Sequence, residues 1–156
     1  MKLLKFLIIT VFGLGIFASV MTVYISGQHS APVFLTPIPT PTNLNANKLF
    51  QLVNDWRVQN GYRPFIKSDS LCKIATVRLS EIEKDFSHDG FSAKRFFPNA
   101  PTGMSGENLA EKYQTEKTTL NAWLNSPEHL ANLKYPYKYS CIETSGTYAV
   151  QEFATF

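Results

Sequence analysis

Two histidines and one glutamate stand out in this 156-residue chain as residue types that could do chemistry together. His88 lies in Asp85-Phe86-Ser87-His88-Asp89-Gly90, Glu107 in Gly106-Glu107-Asn108-Leu109-Ala110, and His129 ends Trp123-Leu124-Asn125-Ser126-Pro127-Glu128-His129. Two neutral imidazoles and a carboxylate with an open fourth position are the donor set of a catalytic zinc site. The same trio can also work without metal, with Glu107 bridging the histidines and shifting their titration.

Each residue also has a plainer reading. A histidine between an apolar helix end and a glycine turn can face a cleft with one nitrogen free while Asp85 or Asp89 orients the other. Taken alone, His88 is a surface or loop histidine. Glu107 follows a glycine, so the backbone can turn sharply and aim the carboxylate inward; at a helix start it would instead satisfy free amides. Trp123 is read as core and Glu128 as solvent-facing. Ser87 and Ser126 neighbour the histidines, but adjacency is weak evidence for a nucleophile, and capping or turn duty suits both. No His-Glu-x-x-His helix is present, which disfavours a standard metalloprotease. The remaining histidine, His29, sits in a proline-rich stretch and is given no role.

The elements that must position these groups follow from periodicity. Asn43 or Asn45 can cap a helix whose Leu49, Leu52, Val53 and Trp56 share one face, and Asn60-Gly61 ends it. Ser68-Asp69-Ser70 begins a second helix carrying Leu71, Ile74, Ala75, Leu79 and Ile82 inward. From Phe86 to Ser105 the chain reads as a long irregular segment, a length that usually serves a site. Thr115 caps a helix with Leu120, Trp123 and Leu124 facing in, and Pro127 starts a further helical turn carrying His129, Leu130 and Leu133. Tyr137 to Glu143 and Thr147 to Ala154 read as a hairpin around Thr144-Ser145-Gly146. Helices first and a hairpin last predict an α+β or three-layer domain.

Taken together, the three blocks resemble the CAP superfamily of cysteine-rich secretory, antigen 5 and pathogenesis-related proteins. The likeness is strongest to its small bacterial, SCP-like extracellular members, and it spans roughly Leu44 to Phe156. The resemblance implies a three-layer α-β-α sandwich. It also implies that Gly-Glu-Asn-Leu-Ala delivers Glu107, and a Trp-x-Asn-Ser-Pro-x-His run delivers His129, to the cavity that His88 faces. Larger members present two histidines and two glutamates. Here the place of the second glutamate is read as taken by residues around Asn125 and Ser126, so no fourth cavity residue is assigned. Some members bind lipids, sterols or divalent metal, and proteolysis has been proposed for others.

The N-terminal part bears on location. Residues 1–5 carry Lys2 and Lys5, and residues 6–25 run from Phe6 to Ile25 without a charge, long enough to span a bilayer as a helix. The lysines should stay cytoplasmic, leaving the rest outside. The exits Ala18-Ser19-Val20 and Ile25-Ser26-Gly27 fit a cleavage site poorly, so an uncleaved anchor is favoured over secretion after cleavage. Residues 26–43 include Thr36-Pro37-Ile38-Pro39-Thr40-Pro41-Thr42, whose alternating prolines should make an extended spacer. Residues 44–156 are enough for one domain.

Cys72 and Cys141 are the only cysteines. An even count in a part expected outside the cytoplasm favours a disulfide, worth roughly 4 kcal/mol for a loop of about 70 residues in the chain-entropy model; two buried free thiols are the other reading. The net charge is +3 with scattered cations, so no nucleic-acid surface is expected. The function expected is binding, not cutting: an extracytoplasmic domain taking an envelope or extracellular ligand (lipid, glycan or peptide), or zinc or another divalent metal, at His88, Glu107 and His129. A metal-assisted peptidase or cell-wall hydrolase with Glu107 as general base is the alternative, and a spacer module whose polar trio only fixes loops is a third.

Overall fold

The computed structural model describes residues 43–96 and 105–155. The apolar run, the spacer before Asn43 and their expected anchoring role lie outside the described residues.

The helices form where capping and periodicity coincide. Helix α1 (Ala46–Gln59) starts at Asn45, whose side chain accepts the Lys48 amide, and ends where Gly61 takes a φ of 80°. It buries Leu49 and Val53 as expected, while Leu52 and Trp56 are half-covered and Arg57 is buried in their stripe. Helix α2 (Asp69–Ile82) buries Leu71, Ala75 and Ile82, and with them Arg78. A short helix α3 (Ala93–Phe96) lies inside the segment expected to be irregular. Helix α4 (Glu116–Asn125) opens with a capping box between Thr115 and Thr118, and helix α5 (Pro127–Lys134) has proline in its first turn. At the start of α4, the buried Glu116 carboxylate accepts the Asn45 amide at 3.0 Å, joining the beginnings of α1 and α4.

The sheet has four strands in the order β1-β3-β4-β2. They are β1 (Ile66–Lys67), β2 (Ser105–Ala110), β3 (Tyr139–Ser145) and β4 (Tyr148–Ala154). Strand β1 pairs parallel with β3, and the other pairs are antiparallel. The hairpin turn sits one step later than the sequence suggests, at Gly146-Thr147, because β3 continues through Ser145 and Gly146 supplies a φ of 54°. Gly106-Glu107-Asn108 is neither a sharp turn nor a helix start. It is strand β2, held along its length by β4.

Strand alternation sorts side chains between two cores. Ala75 and Ile82 of α2 pack with Leu109 and Val150, and Leu71 packs with Cys141 and Ala154. On the other face α1, α4 and α5 bury Leu49, Val53, Leu120, Trp123 and Leu133 against Ala110, Ile142, Ala149 and Phe153. The result is the expected α+β architecture, with helices on both faces of one sheet. Trp123 is fully buried, and its indole donates to the Leu109 carbonyl at 2.9 Å, satisfying its one donor. Cys72 and Cys141 are joined as a disulfide, which fastens α2 to β3 and settles the open alternative of free thiols.

Candidate functional site

The site is built around β2, an edge strand of the sheet. Alternation sends Glu107 to the α2 face and Asn108 to the α5 face, so this one strand reaches both layers. Arg78, buried on α2, meets Glu107 there. Its Nε donates to Glu107 Oε2 at 2.7 Å and its Nη2 to Oε1 at 3.3 Å. Nη1 pairs with Glu81, which Arg95 also holds. Glu81 is thereby lowered to about 2, chiefly by its hydrogen bond from Arg95.

Arg78 also sets the loop that carries His88. Its Nη2 donates to the Ser87 carbonyl at 2.7 Å, and a Cβ at Gly90 would stand 1.8 Å from its Nη1. Only glycine lets this loop lie so close to the guanidinium. His88 then reaches over the strand, and its Nδ1 lies 2.9 Å from Glu107 Oε1. An ionised carboxylate only accepts, so Nδ1 is the donor of this bond and Nε2 is not engaged by Glu107. The orienting carboxylate is therefore Glu107, not Asp85 or Asp89. The His88 side chain is 56 % exposed, whereas that of Glu107 is 1 % exposed.

His129 arrives from the other layer. Helix α5 is docked on β2 by two asparagines: Asn132 Nδ2 donates to the Glu107 carbonyl at 3.1 Å and to Asn108 Oδ1 at 2.9 Å, and Asn108 Nδ2 donates to the His129 carbonyl at 3.2 Å. Gly106 permits the contact, since a Cβ there would meet the Tyr137 hydroxyl at 2.7 Å and Asn132 Oδ1 at 2.9 Å. The rings of His88 and His129 end 6.2 Å apart, inclined at 48°. Burial, followed by Coulombic repulsion between its ring and that of His88, pushes the His129 pKa down, so its imidazole is neutral at neutral pH.

A second carboxyl stands beneath the first. Glu152 of β4 is directly opposite Glu107 in the ladder and fully buried. Burial, and then the charge of Glu107, raises its pKa well above 4.5. No described protein group is a hydrogen-bond partner of either Glu152 oxygen, so the neutral acid is the form this buried position favours. Burial alone would raise Glu107 too, but the bonds from His88 and Arg78 outweigh it and hold Glu107 below its usual value.

The three expected residues thus come together, with Arg78, Glu152, Asn108 and Asn132 added. Their donor chemistry suits a metal held by two imidazoles, His88 Nε2 and His129, with Glu107 orienting His88 from behind. Both Glu107 oxygens are already engaged. Among the described residues the one convergent trio of His, Cys, Asp or Glu ligand atoms is Cys72, Cys141 and Glu143, whose sulfurs are spent in the disulfide. Ser87 Oγ accepts the Asp89 amide and Ser126 Oγ bonds Glu128, so both serines have the turn roles expected of them. Glu128 is exposed, also as expected.

A four-stranded sheet with helices on both faces and a His–Glu–His edge is the frame of a CAP-like fold. The model of the cysteine-rich secretory protein (CAP) family matches residues 50–137, more than half of the chain, and the chain belongs to that family. Among solved structures it is similar to an extracellular protein containing an SCP domain from Bacillus anthracis, at 20% identity and a TM-score of 0.62 over 71% of this chain and 40% of that one. It is also similar to a cysteine-rich secretory protein from Staphylococcus aureus, at 19% identity and a TM-score of 0.63 over 71% of this chain and 38% of the other. An outer surface protein of Borrelia burgdorferi aligns at 19% identity and a TM-score of 0.59, over 69% of this chain and 90% of its own. The chain spans well under half the length of the first two, and these likenesses carry the fold alone. No curated protein matches the sequence.

Proposed function

We propose that this chain is an extracytoplasmic CAP domain that binds through the paired imidazoles of His88 and His129, taking a divalent metal such as zinc or a polar group of an envelope ligand. The observation that carries this reading is the His88–Glu107 bond. A buried, ionised carboxylate fixes one ring nitrogen as donor and leaves the other, on an exposed ring, free to accept or ligate. His129 supplies the second imidazole, which burial keeps neutral.

The location rests on agreeing features. The uncharged run of residues 6–25 follows two lysines, the domain carries a disulfide, and the structural relatives are named as extracellular, secretory and outer-surface proteins. Anchoring by the N-terminal run is favoured over release. Among the described residues no helix is long and apolar enough to cross a membrane.

A hydrolase using Glu107 as general base is the second reading. A base must reach the proton it takes, and Glu107 is sealed beneath His88 and Arg78 with its pKa lowered. That burial favours binding over cutting. Isothermal titration of the wild type and of His129→Ala with zinc tests the metal part. Heat in the wild type and its loss in the variant are expected; no heat in either removes metal from the proposal.

A further inference from the structure

A concave site lies away from the histidines, where the C-terminal ends of α1 and α5 meet the start of β3. It is a cavity of about 530 Å³ that shares no residue with the His88 site. Cavities of roughly 300–1,000 Å³ are the size that takes small organic ligands.

Its charge is one-sided. Arg57, Arg63, Lys134 and Lys138 line it, and among the described residues no acidic side chain does. Arg57 is the informative member, because it is buried with no carboxylate partner among the described residues. Its guanidinium donates to the carbonyls of Arg63, Leu133 and Tyr135 and lies 3.6 Å over the Phe65 ring. Carbonyl dipoles engage Nε and Nη1 and an aromatic face lies over the guanidinium, but they leave the net charge uncancelled. Burial lowers its pKa to about 10, so it stays a cation at neutral pH. The contrast with Arg78, a buried arginine that has two carboxylate partners, shows what this site lacks.

The rest of the wall is apolar or aromatic. Tyr62 is stacked on Trp56 at 5.9 Å, and Tyr137 on Phe153 at 5.3 Å, so both rings are held as firm surfaces. Ile66 adds an exposed aliphatic side chain on edge strand β1. Flat rings below and cations around them match an anion that carries a flat apolar body.

We propose that this cavity is a binding site for a small organic anion, a carboxylate or phosphate attached to an aromatic or similarly flat apolar group. Neither half of such a ligand suffices alone: the body fills the tyrosine-lined wall and the anion supplies the charge that Arg57 lacks.

The test titrates the full chain with naphthoate, with naphthylmethanol, which keeps the body without the charge, and with glycerol phosphate, which keeps an anion without the body, following backbone amide shifts. Naphthoate is expected to move residues of the Arg57–Ile66 and Lys134–Lys138 segments and to bind at least ~10-fold more tightly than either half-ligand. Lys134→Gln with Lys138→Gln, both exposed positions, should weaken naphthoate at least ~5-fold with an unchanged melting temperature, and His129→Ala should leave its affinity as it was. Equal binding of naphthylmethanol would reduce the site to an apolar patch. Equal binding of glycerol phosphate would make it a phosphate or lipid-headgroup site. No shifts, shifts confined to the His88 region, or insensitivity to the lysine changes would also overturn the proposal.

Discussion

Glu107 and Glu152 stand opposite each other on neighbouring strands, both buried, and only Glu107 has cations to neutralise it. The pair therefore divides one job between two states. Glu107 is the ionised acceptor for Arg78 and His88, while Glu152 is the neutral acid behind it. Two like charges this close in a dry interior would not both ionise.

This division predicts opposite pH slopes. Glu152 has its folded pKa raised above 4.5, so its contribution to stability is full below that value and is lost as pH rises toward the folded pKa. Glu152→Gln keeps the shape of the neutral acid and removes the slope. The variant should match the wild type near pH 4 and exceed it in stability at neutral pH. Denaturant unfolding at several pH values checks this; parallel curves for the two proteins would refute the neutral assignment.

Glu107 has the reverse sign. Its folded pKa is lowered, so its stabilisation is present above 4.5 and is lost as pH falls through the folded value. Removing its cation should be severe: Arg78→Met leaves a buried carboxylate without its main partner and should cost about 3–5 kcal/mol. Adding Glu107→Gln to Arg78→Met should recover part of that loss, which thermal melting of the single and double variants would show.

The disulfide is the tie between α2 and the sheet, closing a span of 69 residues. Reduction, or Cys72→Ser with Cys141→Ser, should destabilise the domain by about 2–5 kcal/mol. Because Arg78 reaches Glu107 from the same helix, loosening α2 should also blunt the His88–Glu107 bond, seen as a changed His88 ring shift.

Glu107→Gln tests orientation separately from stability. An amide can present its oxygen to Nδ1, but it lacks the charge that favours the Nδ1–H tautomer. Zinc affinity in this variant should fall about 10–100-fold, the usual cost of losing an outer carboxylate. Calorimetry on the variant beside the wild type measures it.

Much of the fold was legible because helix signals are local. Asn45, Thr115 and Pro127 stand where their capping chemistry says they should. Strand β2 was hidden because both of its faces are covered and its buried residues include Glu107 and Asn108, so no apolar alternation marks it. The two buried arginines left a readable trace: Arg57 continues the Leu49–Val53 stripe of α1, and Arg78 interrupts the stripe of Leu71, Ala75 and Ile82 on α2. A cation on a buried face needs a partner, and that partner was Glu107 for one and a set of carbonyls for the other. Glu152 depended on register across β2 and β4, which no local pattern carries.

The central claim is that His88 and His129 act as one binding face held from behind by Glu107. A crystal structure grown with zinc, with anomalous data collected at the zinc edge, tests it most directly. The account predicts one anomalous peak within coordination distance of His88 Nε2 and a His129 ring nitrogen, with Glu107 still bonded to His88 Nδ1. A peak elsewhere, or a zinc ion ligated by Glu107 after His88 has turned away, would contradict it.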